Sequence, residues 1–226
     1  MNLAGKRCIV TGGDGALGRA VVERLRFDGA AVAIIERATA AQHDDLVFGD
    51  IDLADARAAR AAVDAATEKL GGLYALINIA GGFRWETLAD GDVATWDFLY
   101  TTNLKTAVCA TKAALPHLVA NGSGRIVNIG ANAATKATAG MGAYAASKAG
   151  AAKLTEALAE EMKGQGITVN AVLPSIIDTQ ANRTDMPKAD FAKWVKPEAI
   201  AALIAFLLSD EASAITGALI PVAGRV

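Results

Sequence analysis

Histidine, cysteine and charge imbalance are what this chain has least of. Its 226 residues include 2 His and 2 Cys, and 22 Lys plus Arg against 24 Asp plus Glu leave a formal net charge of −2. That balance, with no basic patch, excludes the electrostatic footprint of nucleic-acid binding. Cys8 stands in a strand-like run and Cys109 in a helical one, both apolar, so they read as reduced core thiols rather than a disulfide or a metal pair. His43 lies in a polar turn and His117 follows Pro116 near a helix end; neither is assigned to a metal or to catalysis. No apolar run approaches the roughly 20 residues of a membrane span. The first strand begins almost at the N-terminus, leaving no room for a signal peptide, so the expected location is the cytoplasm. Repeats and low-complexity linkers are also missing. With 53% of residues apolar, residues 1–226 read as one soluble domain with a substantial core.

What is present is alternation. Strand-like apolar runs at 7–10, 31–35, 46–48, 73–78, 125–129, 167–172 and 218–222 alternate with helical stretches, among them the Ala-rich segments 55–67 and 144–161. That pattern predicts parallel βαβ units, an α/β fold with helices on both faces of one sheet. The first unit is the most informative: the strand Arg7-Cys8-Ile9-Val10 runs into Thr11-Gly12-Gly13-Asp14-Gly15-Ala16-Leu17-Gly18, and a helix follows to residue 27. A glycine-rich turn between strand and helix lets the backbone approach a pyrophosphate, which the helix N-terminus then favours electrostatically. Glu36 ends the next strand, eighteen positions after Gly18. An acid there accepts hydrogen bonds from the adenosine ribose and repels a 2′-phosphate, which favours NAD(H) over NADP(H). Arg37 beside it argues the other way.

Tyr144-Ala-Ala-Ser147-Lys148 places a phenol and an ammonium four residues apart, on one face of a predicted helix. A nearby cation favours the phenolate and draws the phenol down from its free pKa of about 10. Tyr144 is thereby a candidate proton donor to a carbonyl under reduction.

Taken together these residues resemble the short-chain dehydrogenase/reductase family, from about residue 3 to the C-terminus. The pattern Thr11-Gly12-x-x-x-Ala16-x-Gly18 is the family's, with Ala16 where a glycine is usual, and Asp52-Leu53 resembles the pair that brackets the adenine. Asn78-Ile79-Ala80-Gly81 corresponds to the family's Asn-Asn-Ala-Gly, and Asn103 to the helix-kinking Asn that holds a water in a proton relay. Tyr144 and Lys148 match the catalytic pair, and the segment from Asn170 through Pro174 and Ile177 to Thr179 resembles the grip on the nicotinamide carboxamide. The resemblance implies a single Rossmann-type domain with a doubly wound, parallel, seven-stranded sheet. It implies catalysis by Tyr144, Lys148 and Asn103, with Lys148 also binding the nicotinamide ribose. It also implies a homodimer or homotetramer paired through helices at about 95–120 and 143–163, where Ala145, Ala149, Ala152 and Ala159 would permit close approach. Against a usual member the chain is short between Glu36 and Asp50, where a helix is expected to be abbreviated.

One departure stands out. The family's catalytic Ser, thirteen residues before the Tyr, is here Ala131, and losing a comparable preorganised donor costs on the order of 10²–10³ in rate. Asn132 or Thr135 is the nearest replacement. Three readings follow: a carbonyl/alcohol oxidoreductase with a substitute donor, a quinonoid dihydropteridine reductase-like enzyme, or a non-catalytic NAD-binding regulatory subunit. The second rests on resemblance of the C-terminal part, in Gly140-Met141-Gly142-Ala143-Tyr144, Leu173-Pro174, Asn182-Arg183, Met186-Pro187, Phe191 and Trp194, to dihydropteridine reductases, which lack the Ser. A small-molecule substrate is expected at the strand C-terminal ends, between residues 81–85 and a loop at about 179–197. Phe83, Trp85, Met141, Phe191 and Trp194 are candidates for a flat aromatic pocket around Ala131 and Asn132. Arg84 either binds an anionic group or faces water.

Overall fold

The computed structural model describes residues 1–39 and 46–226. Residues 40–45, with His43, lie outside the described residues. Seven strands form one sheet: β1 (Arg7–Thr11), β2 (Ala31–Ile35), β3 (Val47–Phe48), β4 (Ala75–Asn78), β5 (Gly124–Ile129), β6 (Ile167–Pro174) and β7 (Leu219–Val222). All neighbours pair in parallel, in the order β3-β2-β1-β4-β5-β6-β7. Central strands carry apolar side chains on both faces because both are covered. Cys8 and Val10 point into a layer with Leu17, Val21 and Leu25 of α1 (Ala16–Phe27) and Ile200, Ile204 and Leu207 of α7 (Pro197–Leu208). Ile9 points the other way, among Val63 of α2 (Ala56–Leu70), Ala110, Ala114 and Leu118 of α4 (Thr106–Ala120), and Leu158 of α5 (Gly142–Met162).

Local chemistry sets most helix ends. Asp55 caps α2 by accepting from the amides of Arg57 and Ala58 at 2.7 and 3.1 Å, and Gly71, at φ 74°, closes it in the left-handed conformation that suits glycine. The expected single helix over 95–120 is three pieces: α3 (Val93–Tyr100), capped by Asp92, a π-helical turn over Thr101–Lys105, and α4. The loop expected at 179–197 carries a short helix, α6 (Gln180–Asp185), and its end is bridged to the chain after β6 through Ile177 and Val195.

Asn78 is not at the surface of any site. It is buried, and its Nδ2 donates to Thr111 Oγ1 at 3.0 Å and to Asn128 Oδ1 at 2.9 Å, while Asn128 Nδ2 donates to Thr155 Oγ1 at 2.8 Å. This polar chain fastens α4 and α5 to the sheet, because a buried amide without partners is strongly unfavourable. Ala145, Ala152 and Ala159 are likewise buried within the chain rather than free for a partner helix. Asn128→Leu leaves the buried Asn78 Nδ2 with Thr111 Oγ1 as its one acceptor and takes away the donor to Thr155 Oγ1. The expected loss of unfolding free energy is about 1–3 kcal/mol, read as a lower denaturant midpoint at unchanged slope.

Candidate active site

Strand order reverses between β2-β1 and β4-β5, and a doubly wound sheet opens a crevice there, at the strand C-terminal ends. Thr11 ends β1 in that crevice; its Oγ1 accepts from the amides of Ile79 and Ala80, both at 3.2 Å, and so holds the start of the loop after β4. Gly12, at φ 71°, lies so near this loop that a Cβ on it would stand 2.8 Å from the Ala80 amide nitrogen. A Cβ on Gly18 would collide with the Gly12 carbonyl and reach 2.6 Å from Gly13 Cα. The N-cap of α1 is Gly15, with no side-chain cap and no acid in the first turn. Its leading amides, which have no partner inside the helix, are left for an anionic ligand. This cradle fits a pyrophosphate.

The cleft holds about 1500 Å³ and is lined by Gly12, Gly15, Ala16, Leu17, Gly18, Glu36, Arg37, Asp52, Leu53, Ala80, Gly81, Ala131, Asn132, Tyr144, Lys148, Pro174, Ile177 and Thr179, with Phe83, Trp85 and Met141. Sequence reasoning therefore placed most of the lining. Five residues expected at the site lie elsewhere. Asn78 is the buried clamp described above. Asp14 is exposed beside a smaller groove, its amide donating to Glu36 Oε1 at 2.6 Å, so the loop, not the Asp14 side chain, holds the Glu36 carboxylate. Asn103 is buried under the cleft. Trp194 is buried and packs on Phe191 at a ring separation of 4.8 Å, and neither ring belongs to the lining. The reason is the bridging of Val195 to Ile176–Asp178 and of Lys193 to Arg225, which turns this segment inward. Arg183 chelates Asp178 at 2.6 and 2.8 Å and covers the Phe191 ring.

Tyr144 and Lys148 share one face of α5, yet burial governs both. It pushes the phenol up from 10.0 to about 12 and the ammonium down from 10.5 to about 8. Lys148 Nζ donates to the Ile129 carbonyl at 2.8 Å, at the end of β5, so its charge is directed at the strand rather than at the phenol, and the expected lowering of Tyr144 is not met. Tyr144 is a protonated phenol throughout the neutral range. Phe83 meets its ring edge-on at 4.9 Å.

The Asn103 side chain is fully engaged. Oδ1 accepts from the Gly82 amide at 2.8 Å, and Nδ2 donates to the Gly82 carbonyl and to Ser147 Oγ, both at 3.0 Å. Ser147 Oγ in turn donates to the Tyr144 carbonyl at 2.7 Å. Sequence reasoning passed over Ser147 although it stands inside the Tyr144–Lys148 segment. Gly81 fits only as glycine, since a Cβ would stand 2.7 Å from Asn103 Oδ1. Arg84 lies over the Phe98 ring at 3.9 Å, and Phe98, Asp97 and Asp185 also line the cleft without any motif having marked them, as do Asn182 and Met186 from the C-terminal part of the resemblance. His117 pairs with Asp64 at 2.6 Å between α4 and α2, away from the lining. Among the described residues no cluster of His, Cys, Asp or Glu could hold a metal, and no helix is long and apolar enough to cross a membrane.

A parallel Rossmann-type sheet with a glycine cradle at its switch point defines the class: a doubly wound α/β fold of the dinucleotide-binding kind. The sequence profile of the short chain dehydrogenases matches residues 6–190, and the chain belongs to the short-chain dehydrogenase/reductase family of enzymes, which bind nicotinamide cofactors. It is 33% identical to a 3-oxoacyl-[acyl-carrier-protein] reductase of Vibrio cholerae, over 99% of this chain and 98% of that one. It is equally 33% identical to a 4-formylbenzenesulfonate dehydrogenase of Comamonas testosteroni, over 99% and 98%. In structure it resembles a short-chain type dehydrogenase/reductase of Mycobacterium ulcerans (TM-score 0.91, 25% identity, 100% of this chain and 90% of that one). A 3-ketoacyl-(acyl-carrier-protein) reductase of Brucella melitensis complexed with NADH also matches (TM-score 0.87, 26% identity, 99% of both).

The Lys148 shift has a sign. Between about pH 8 and 10.5 the unfolded chain keeps a proton that the buried amine has released, so native stability rises with pH through that window; below it both states are protonated. Lys148→Met is expected to flatten this rise, which urea unfolding at stepped pH measures.

Proposed function

We propose that the protein interconverts a small carbonyl compound and its alcohol with NAD(H), using Tyr144 as the proton donor in reduction and acceptor in oxidation. The observation that carries this reading is a protonated, mostly buried Tyr144 lining the same cleft as the glycine cradle, one helical turn from Lys148. Nicotinamide supplies or accepts the hydride, so that carbonyl, NADH and one proton give alcohol and NAD⁺. Tyr144 Oη hydrogen-bonds the carbonyl oxygen and passes it the proton. Lys148, tied to Ile129, is assigned to bind the ribose hydroxyls and to restore the proton to Tyr144. Asn103 keeps Gly82 and Ser147 in register, and the π turn around it, a geometry that recurs at functional sites, supplies backbone carbonyls that would hold a relay water. Pro174, Ile177 and Thr179 are assigned to the carboxamide, and Asp52 and Leu53 to the adenine. NAD(H) is favoured over NADP(H) because the Glu36 carboxylate is held at the glycine loop, where a 2′-phosphate would meet it.

Ala131 is what sets this site apart. It lines the cleft with only a methyl group, and neighbouring donors are committed elsewhere: Thr135 Oγ1 to the Asn132 carbonyl, Ser175 Oγ to the Ala223 carbonyl and Asn182 Nδ2 to the Ile177 carbonyl. The Asn132 side chain is left as the second donor. The same observation favours one other reading, a quinonoid acceptor of the dihydropterin type, whose electron demand reduces the need for that donor.

A homodimer or homotetramer in the cytoplasm completes the proposal. Trp96, Tyr100 and Val108 leave 38%, 54% and 38% of their surface open along α3 and α4, the side on which the family resemblance places the pairing helices. Sedimentation at micromolar concentration is expected to give a dimer or larger species; a monomer alone overturns this part.

Tyr144→Phe is expected to lower turnover by about 10²–10⁴-fold while NADH still binds. Ala131→Ser is expected to raise ketone turnover by about tenfold or more if the missing donor limits the reaction. Steady-state kinetics with a ketone panel and quinonoid dihydropterin, run with both cofactors, checks these outcomes. Survival of activity in Tyr144→Phe removes the mechanism.

A further inference from the structure

Residues 82–86 cross the cleft beside Tyr144 and are pinned at both ends. At one end Gly82 exchanges two hydrogen bonds with the Asn103 side chain, at 2.8 and 3.0 Å. At the other, Trp85 Nε1 donates to the Ala139 carbonyl at 3.0 Å and the Glu86 amide donates to the Gly140 carbonyl at 2.9 Å. Gly140 sits at φ 75°, and the indole covers it so closely that a Cβ there would overlap the Trp85 ring, reaching 2.6 Å from Cζ2. Phe83 lies between the two pins, edge-on to the Tyr144 ring. The span is therefore a fixed roof whose position over the phenol depends on a glycine in another loop.

We propose that this Trp85–Gly140 latch determines substrate choice by fixing Phe83 over Tyr144, and that the substrate is a flat ring ketone or its alcohol rather than a flexible acyl chain. The inference rests on the oxidoreductase reading of the cleft and adds its substrate class. Phe83, Trp85, Phe98 and Met141 present ring faces, ring edges and a thioether, groups that gain most from contact with a planar π system. Tyr144 and Asn132 are the donors assigned to orient one oxygen, and Asp97, Thr101, Thr102, Asn182 and Asp185 also line the cleft. A flexible chain loses rotamer freedom on entering a fixed slot, whereas a rigid ring does not.

The test compares the native protein with Gly140→Ala and Trp85→Phe, using NADH with indanone and with a straight-chain methyl ketone of the same carbon number. Gly140→Ala pushes the indole off its seat; Trp85→Phe keeps an aromatic ring but removes the indole donor, and serves if the first variant folds poorly. The native protein is expected to prefer indanone in kcat/KM by about tenfold or more, the scale of pocket discrimination between apolar groups. Both variants are expected to cut that preference at least about fivefold, mainly through KM for indanone, with NADH affinity unchanged. Independently of turnover, exchange of the Glu86 amide is expected to accelerate in Gly140→Ala. A native protein without ring preference, a preference that survives both variants, or a Glu86 amide equally protected in Gly140→Ala overturns the proposal. Failure of the native protein to bind NADH or to turn over either ketone removes the NAD(H)-dependent carbonyl reading instead, and Glu86 exchange still decides whether the latch exists.

Discussion

The whole arrangement depends on the close approach between the end of β1 and the loop that leaves β4. Thr11 anchors that loop through one hydroxyl, and Gly12 has no Cβ to keep it away. The sheet reverses its winding order at this point, so the approach brings two chain segments to one crevice from opposite halves of the fold. Every later element is placed relative to it. Gly81 and Gly82 continue from the anchored loop to Asn103, Asn103 reaches Ser147, and Ser147 lies between Tyr144 and Lys148 on α5. A phenol on the fifth helix is thereby referenced to the glycine loop of the first βα unit by a line of hydrogen bonds rather than by packing alone.

Electrostatics in the cleft follows from burial more than from pairing. A low-dielectric setting disfavours charge on any group, so a buried phenol holds its proton more tightly and a buried ammonium holds its own less tightly. Tyr144 and Lys148 move apart in acidity for that reason, the phenol up to about 12 and the ammonium down to about 8, so that return of a proton from the ammonium to a phenolate runs downhill. Ala131 adds to the apolar character beside them. A site built this way relies on its substrate to tolerate charge with one strong donor present.

Much of this was legible in the residues. Apolar runs separated by turn residues located all seven strands, the central ones most clearly because burial on both faces leaves an unbroken hydrophobic signature. The glycine loop and the Tyr144–Lys148 spacing were legible because close approach and a shared helix face each require particular residues at particular intervals. What escaped was tertiary. Asn78 stands in a motif that suggests ligand contact, yet its Nδ2 is taken by Thr111 and Asn128, partners distant in sequence. Trp194 reads as a loop aromatic open to a ligand, but strand-like bridging to the segment after β6 buries it. The same holds for Lys148, whose partner is a backbone carbonyl that no side-chain pattern advertises.

The π turn at Thr101–Lys105 has a geometric consequence for the helices it joins. A regular α-helix advances about 100° per residue, so any residue accommodated in a wider turn changes the phase of everything after it. α3 and α4 are thus one rod with a rotational offset at its waist. The offset turns Leu99 inward before the waist, Asn103 within it, and Ala107, Ala110 and Ala114 after it. Chain length in those five residues works as an angular setting: one residue fewer would carry Asn103 about a quarter-turn around the rod, away from Gly82 and Ser147, without altering any residue that touches them.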